Sequence, residues 1–148
     1  EFHAGEKPWG RVKADVYMPC ATQNEIGLED AKRMIEEGTS KLLIEVANMP
    51  TKAEAVEELQ KAGFMIAPSK AVNAGGVAVS ALEMSQNAMK LSWTEEEVAE
   101  KLKKIMKNIF NNIDSAAKKY GMDGNLIAGA NIAGFLKVAE AMLDEGIF

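Results

Sequence analysis

The first half of the chain alternates short apolar runs with amphipathic stretches. Apolar runs at 15–18, 42–46 and 64–67 predict three short β-strands. The middle run, LLIEV, is almost continuously apolar, which is typical of a strand buried on both faces. Between the runs, apolar residues at helical spacing predict helices over 28–38 and 53–63, each ending at a glycine. Alternation of strands and helices over short connections favours parallel strands joined by right-handed crossovers.

The second half of the chain is predicted to be helical. A helix is expected over about 75–91, and a longer one from Thr94 to Tyr120 carries an apolar stripe. A last helix is marked by apolar residues at helical spacing, namely Ile132, Phe135, Leu136, Ala139, Met142 and Leu143. The predicted fold class is therefore α/β: a partial Rossmann-like parallel sheet of about three strands with crossover helices, followed by long C-terminal helices.

Local signals mark some helix starts and contacts. Thr51 with Glu54, and Thr94 with Glu97, have the spacing of a capping box, in which side chains at the first turn bond to free backbone N–H groups. Gly129, Ala130 and Gly134 in the last helix are expected to allow close helix packing rather than to bind a phosphate.

Composition narrows the class of protein. With 148 residues, 47% hydrophobic and 26% charged, the chain has the balance of an ordinary globular domain. The net charge of −5 and the lack of a Lys/Arg-rich tract argue against nucleic acid as a partner. One cysteine, Cys20, excludes an internal disulfide and fits a reducing cytosol. No apolar run approaches the roughly 20 residues that span a bilayer, so we expect a cytoplasmic protein with no membrane partner.

Polar residues collect after each predicted strand. The segments 19–24, 47–51 and 68–76 are rich in amides, hydroxyls, proline and glycine, whereas the loops at the other edge are plain turns. In an open parallel sheet, ligands bind outside the carboxyl ends of the strands. Any one of these loops would be explained equally well by helix capping. Three of them at the same edge favour a polar ligand site.

The stretch NAGGVAVS, residues 73–80, opens the helix predicted over 75–91. Gly75 and Gly76 would let the backbone turn sharply and a ligand approach closely, and free N–H groups there suit a carboxylate or a phosphate. Ser80 lies one turn further on the same side, and Lys70 would add charge, although a lone exposed lysine is usually only solvated. The stretch is neither the GxGxxG dinucleotide fingerprint nor a P-loop. Since three strands make a thin sheet and Glu1 is not a start methionine, we expect the sequence to open inside a longer chain.

Six long motifs follow one another along the chain, namely PCATQNE, IEVANMPT, APSKAVNAGGV, ALEMSQN, LSWTEEEV and AGANIAGFLKVAEAM. They resemble the C-terminal part of hexameric glutamate dehydrogenases, and the resemblance covers nearly the whole chain from about Pro8. Glu45-Val-Ala-Asn48 and Pro68-Ser-Lys70 are most similar to the clostridial, NAD-dependent branch.

This resemblance implies an activity and a set of binding residues. Family members interconvert L-glutamate with 2-oxoglutarate and ammonium, passing a hydride to or from NAD, with NADP not excluded. Thr22, Gln23, Asn24 and Asn48 would line the nicotinamide-ribose end of the cofactor, and Asn73 would bond near the carboxamide. At the substrate, Val77 would pack against the methylenes and Ser80 would bind the γ-carboxylate.

The resemblance also implies what the chain lacks. The family's catalytic lysine and aspartate belong to a substrate domain with no counterpart in these 148 residues, so no catalytic residue and no metal ligand is assigned. Residues 1–91 correspond to the second half of the NAD-binding domain with the pivot helix, and 92–148 to the C-terminal helical segment. A homo-oligomer, hexameric in the family, is expected. The chain alone is expected to be inactive.

Two other functions are compatible with the residues. One is a non-catalytic nucleotide- or carboxylate-binding module, and the other is a stable truncated fragment that binds nothing.

Three single residues also have interpretations that involve no ligand or catalysis. His3 is expected to be solvated, and Cys20 to be a buried, inert thiol. Glu45 is unusual inside a predicted apolar strand. Its carboxylate is expected to bond to a backbone donor or a ligand ribose, or to form a purely structural hydrogen bond.

Overall fold

The computed structural model describes residues 3–146 and divides into two compact units, which end and begin at Ser69 and Lys70. The first unit contains α1 (Leu28–Glu37), β1 (Leu42–Ile44), α2 (Ala53–Lys61) and β2 (Met65–Ala67). The helices that follow are α3 (Ser69–Val72), α4 (Ala74–Met89), α5 (Glu95–Lys119) and α6 (Leu126–Glu145). The predicted α/β class, with a parallel sheet and long C-terminal helices, is confirmed.

The sheet has two strands rather than about three. β1 and β2 pair in parallel, with Leu43 opposite Ile66. The third predicted strand, at 15–18, reaches β1 through an isolated parallel bridge in which the Tyr17 N–H donates to Leu42 O at 3.0 Å and Ile44 N–H donates to Tyr17 O at 2.9 Å. Pro19 follows at once and has no N–H with which to extend the pairing. β1 lies between the two other segments. Within β1 only Leu43 is fully buried, whereas Leu42 and Ile44 are partly exposed, so the predicted burial on both faces is incomplete.

The core of the first unit is built from side chains of α1, α2, β1 and the segment before α1. Its fully buried side chains include Ile26, Met34, Leu43 and Leu59. α1 ends as predicted at Gly38, whose φ of 72° is left-handed and whose N–H donates to Met34 O.

One predicted capping box forms and the other does not. Thr94 Oγ1 accepts from the Glu97 N–H at 3.3 Å, while a Glu97 carboxylate oxygen accepts from the Thr94 N–H at 2.8 Å. Thr51 instead lies in a parallel bridge with Ile26, its Oγ1 is buried without a hydrogen-bond partner among residues 3–146, and the cap of α2 is Lys52. Strand-like pairing holds Thr51 away from the helix start, so that prediction is wrong.

In the second unit, α5 packs against α4 and α6. A methyl group at Gly129 on α6 would lie 2.3 Å from Ile113 O and 3.0 Å from the Ala117 Cβ, so the two helices approach closely at this glycine. Ala130 beside it is also buried. The prediction of close packing does not hold for Gly134, where a methyl group would meet nothing within 4 Å.

α6 is apolar on more than one face. The side of α6 at Gly129 and Ala130 is buried, whereas Phe135, Val138 and Met142 are 69%, 60% and 53% exposed. By length and composition α6 is able to cross a bilayer, which corrects the expectation that no segment approaches that size. Interior helices of larger proteins have the same all-round apolar character.

Ionisation of Tyr17 makes the stability of the first unit depend on pH in the alkaline range. The side chain is 3% exposed and its hydroxyl donates to Glu37 at 3.0 Å. Burial, and then the hydrogen bond and negative charge of Glu37, raise the pKa of Tyr17 from 10.0 to about 12. The native state therefore holds this proton more tightly than the unfolded chain, and the stabilisation is complete below pH 10 and lost as the pH rises toward 12.

We therefore expect Tyr17→Phe to reduce the loss of stability between pH 9 and 11.5. Two pKa units correspond to about 2.7 kcal/mol. This is the upper limit of the unfolding free energy that the wild type loses through ionisation of Tyr17. Urea unfolding at several pH values measures it. Tyr120→Phe, at a tyrosine that is 47% exposed, is the control and should keep the wild-type slope. A Tyr17→Phe profile parallel to wild type would contradict the prediction.

Candidate functional site

Two loops of the predicted ligand edge are joined by a backbone hydrogen bond. Asn24 and Met49 both have left-handed backbones, with φ of 54° and 47°, and the Asn24 N–H donates to Met49 O at 3.0 Å. Asparagine tolerates this conformation better than most residues. The hydrogen bond brings the loop at 22–24 beside the loop that contains Asn48, which is an arrangement that the sequence does not specify.

The polar side chains on these loops are available to a ligand. Thr22, Gln23, Asn24 and Asn48 are exposed, and within residues 3–146 none of their side chains has a hydrogen-bond partner. Together they offer one hydroxyl and three amides, which both donate and accept. This donor set fits the hydroxyls of a ribose and the carboxamide of a nicotinamide.

Glu45 lies at the carboxyl end of β1 and is 6% exposed. Its Oε2 accepts a hydrogen bond from the backbone N–H of Ser69 at 3.1 Å, where α3 begins. Of the three interpretations that the sequence leaves open for Glu45, the structure therefore shows a backbone donor.

The predicted substrate residues lie on an exposed face of α4. Val77 is 70% exposed, and the exposed Ser80 hydroxyl donates to Gly76 O at 3.2 Å. Asn73, the residue before α4, is exposed and its side chain does not cap the helix. Val77 and Ser80 are three positions apart, so they share one side of the helix.

The glycine pair at the start of α4 differs from the prediction. Gly75 and Gly76 are helical residues and not part of a turn, and neither has a positive φ. The Gly76 N–H is also engaged, since it donates to Asn73 O at 3.2 Å. Because the two glycines have no side chains, they make the first turn of α4 narrow. A methyl group at Gly76 would meet nothing within 4 Å, so that side of the helix start is open.

The surroundings of Lys70 and Cys20 also differ from those predicted. The Lys70 ammonium donates to the side-chain oxygen of Asn131 on α6, so it is not merely solvated. The two residues are 61 positions apart, and no local pattern signals the contact. Cys20 is exposed rather than buried, and its thiol donates to Met18 O at 3.3 Å. Among the described residues no cluster of His, Cys, Asp and Glu is placed to hold a metal ion.

Comparison with known proteins shows to which family the chain belongs. A profile of glutamate/leucine/phenylalanine/valine dehydrogenases matches residues 1–146. The chain belongs to this dehydrogenase family. Together with the relatives below, this match confirms the resemblance to glutamate dehydrogenases that the motifs predict over nearly the whole chain.

Relatives within the family are similar over almost every residue of this chain. It is 55% identical to the NAD-specific glutamate dehydrogenase of Clostridium symbiosum, covering 99% of the chain and 32% of that protein. It is 52% identical to the NADP-specific glutamate dehydrogenase of Giardia intestinalis, covering 98% of the chain and 32% of that protein. The chain thus spans about a third of the length of these curated relatives.

A solved structure of a glutamate dehydrogenase has the same fold. It aligns with a TM-score of 0.93 at 55% sequence identity, over 99% of this chain and 32% of its own. Family membership and fold are therefore supported independently by sequence and by structure.

Proposed function

We propose that this chain is part of a dehydrogenase that interconverts L-glutamate with 2-oxoglutarate and ammonium. The observation that carries the proposal is 55% identity to an NAD-specific glutamate dehydrogenase over 99% of the chain. NAD is the expected cofactor because the motifs around Glu45 and Pro68 are similar to the clostridial branch, while NADP-specific relatives share much of the sequence. When bound, the nicotinamide supplies the carbon that accepts or gives the hydride.

The two joined loops would hold the nicotinamide-ribose end of this cofactor. Thr22, Gln23, Asn24 and Asn48 present unpaired donors and acceptors on loops fixed to each other by the Asn24–Met49 bond. Fixed loops bind a ligand with a smaller loss of conformational entropy than mobile ones. Asn73 would add a hydrogen bond near the carboxamide, since its side chain is not used as a helix cap.

The exposed face of α4 would bind the glutamate side chain. Val77 offers an apolar surface for the methylenes, and Ser80 offers a hydroxyl for the γ-carboxylate. The Ser80 hydroxyl now donates to Gly76 O at 3.2 Å, which is a long bond, so rotation toward a carboxylate would exchange a weak bond for a charge-assisted one.

The catalytic step would need parts that this chain does not supply. In the proposed enzyme, residues 1–91 belong to the NAD-binding domain and 92–148 form a C-terminal helical segment. The lysine and aspartate that handle protons and water would come from a substrate domain, and the active assembly would be a cytoplasmic homo-oligomer. This chain's own residues would bind and orient the two reactants.

Ser80→Ala tests the substrate assignment in the complete enzyme that contains this segment. We expect the KM for glutamate to rise about tenfold to a hundredfold, because a hydrogen bond to a charged group contributes roughly 1.5–3 kcal/mol. The KM for NAD should change little. Steady-state kinetics with glutamate, and with leucine and valine as competing substrates, measure both the loss and the preference for a carboxylate side chain.

Ser85→Ala is the matched control for this experiment. The exposed Ser85 hydroxyl donates to Ala81 O at 2.8 Å on the same helix, as Ser80 donates to Gly76 O, but it has no proposed ligand. Equal effects of the two substitutions on glutamate would contradict the assignment of Ser80. Oxidation of leucine or valine in preference to glutamate by the wild-type enzyme would contradict the proposed substrate.

A further inference from the structure

A buried carboxylate at the predicted ligand edge has no role in the binding scheme above. Glu45 is 6% exposed, and within residues 3–146 no lysine, arginine or histidine forms an ion pair with it. Burying a carboxylate is costly unless hydrogen bonds compensate it, so Glu45 at the end of an apolar strand requires a hydrogen-bond partner.

That partner is the first residue of a short helix. The Ser69 N–H donates to Glu45 Oε2 at 3.1 Å, and Ser69 is itself 8% exposed, so the bond is shielded from water. The first N–H groups of a helix have no partner within the helix, so the Glu45 carboxylate satisfies a buried donor that α3 itself leaves open. Glu45 therefore fixes where α3 begins relative to the end of β1.

The chain leads directly from α3 to the proposed cofactor contact. α3 ends at Val72, Asn73 follows, and α4 begins at Ala74. α3 has only four residues, so Asn73 lies four positions after Ser69 along the chain. The Pro68 before Ser69 further restricts the backbone at this entry.

We propose that Glu45 is a positioning residue, which holds the α3 backbone so that Asn73 is presented to the nicotinamide. This inference rests on the proposed function, since it requires that Asn73 contact the cofactor. Glu45 acts through the Ser69 backbone and not by touching the ligand, so removing either end of the Glu45–Ser69 hydrogen bond has the same consequence.

Four variants of the complete enzyme test this role. Glu45→Ala removes the acceptor, Glu45→Gln keeps an acceptor of similar shape, Ser69→Pro removes the donor, and Ser69→Ala keeps it. Proline is tolerated at the first position of a helix, so Ser69→Pro removes the N–H with little cost to α3 itself. Glu57→Ala, at an exposed glutamate on α2, is the control for loss of a carboxylate.

We expect Glu45→Ala and Ser69→Pro each to raise the KM for NAD about tenfold, the scale of one charge-assisted hydrogen bond, with kcat within about threefold of wild type. Glu45→Gln should recover most of the loss, and Ser69→Ala and Glu57→Ala should resemble wild type. Combining Glu45→Ala with Ser69→Pro should add nothing beyond either single change. If Glu45→Ala does not fold, the comparison of Ser69→Pro with Ser69→Ala decides the same question.

The failures of this inference and of the proposed function are distinguishable. An active wild-type enzyme whose KM for NAD is unchanged in both Glu45→Ala and Ser69→Pro overturns the positioning role and leaves the function in place. Additive effects in the double variant also overturn it, because they mean that Glu45 acts by another route. A wild-type enzyme that binds no nicotinamide cofactor, measured by NADH fluorescence titration, overturns both.

Discussion

The purified 148-residue chain should form no detectable NADH from L-glutamate and NAD. The proposed reaction requires the cofactor, the substrate and a proton-handling lysine and aspartate in one geometry, and this chain is proposed to provide contacts to the first two only. Correct placement of reacting groups contributes effective concentrations of about 10⁵ to 10⁸ M in well-oriented systems. Its loss, together with the loss of the proton-transfer groups, should lower the rate by at least about a millionfold.

The measurement is NADH absorbance during incubation of the chain with glutamate and NAD at high protein concentration. The complete enzyme with the same segment is the positive control, and circular dichroism of the chain establishes that its helices have formed. Turnover by the folded chain at a rate near that of the complete enzyme would show that the catalytic groups lie within these 148 residues, contrary to the proposal.

Gly129→Ala should strongly destabilise the packing of α5 against α6. The added methyl group would lie 2.3 Å from the carbonyl oxygen of Ile113 and 3.0 Å from the Cβ of Ala117. The first contact is with backbone inside a 25-residue helix, which cannot move aside as a flexible side chain does. Because overpacking a close contact typically costs about 1–3 kcal/mol, and occasionally more, we expect a loss near the upper end of that range.

Gly134→Ala is the matched control for this change. It makes the same substitution on the same helix, at a position where the methyl group meets nothing within 4 Å. Alanine is favoured over glycine in a helix by about 1 kcal/mol, so this variant should be slightly more stable than wild type. Thermal and urea unfolding followed by circular dichroism measure both variants. Equal stability of the two would mean that α5 and α6 do not approach closely at Gly129.

The boundaries of the regular elements follow largely from the sequence. The helix ending at Gly38 and the cap formed by Thr94 with Glu97 are local features, in which residues within one turn satisfy each other's backbone groups. Such signals fail where a distant segment competes for the same residue. At Thr51, pairing with Ile26 replaces the predicted helix cap, and the bridging segment lies 25 residues earlier.

The identity of the candidate site residues came from motifs, whereas their arrangement depends on the tertiary structure. The family resemblance carries Thr22–Asn24, Asn48, Asn73, Val77 and Ser80, and their roles in binding stay predictions. No pattern in the sequence indicates that the Asn24 N–H reaches Met49 O. The helical state of Gly75 and Gly76 also could not be read locally, because glycine permits both a turn and a helix.

By itself, the sequence determined the α/β class, the order of α1, β1, α2 and β2, the long helices that follow, and a resemblance to glutamate dehydrogenases, because these depend on apolar periodicity and long motifs. It did not indicate α3, and it predicted a third strand where the structure has a single bridge. Only the tertiary structure decided which polar groups are occupied and which are free. It assigned Glu45 to the Ser69 N–H and Lys70 to Asn131, and left the amides of the two joined loops exposed. The physical reason is that a hydrogen bond depends on distance in space, and these partners are separated by 24 and 61 positions along the chain.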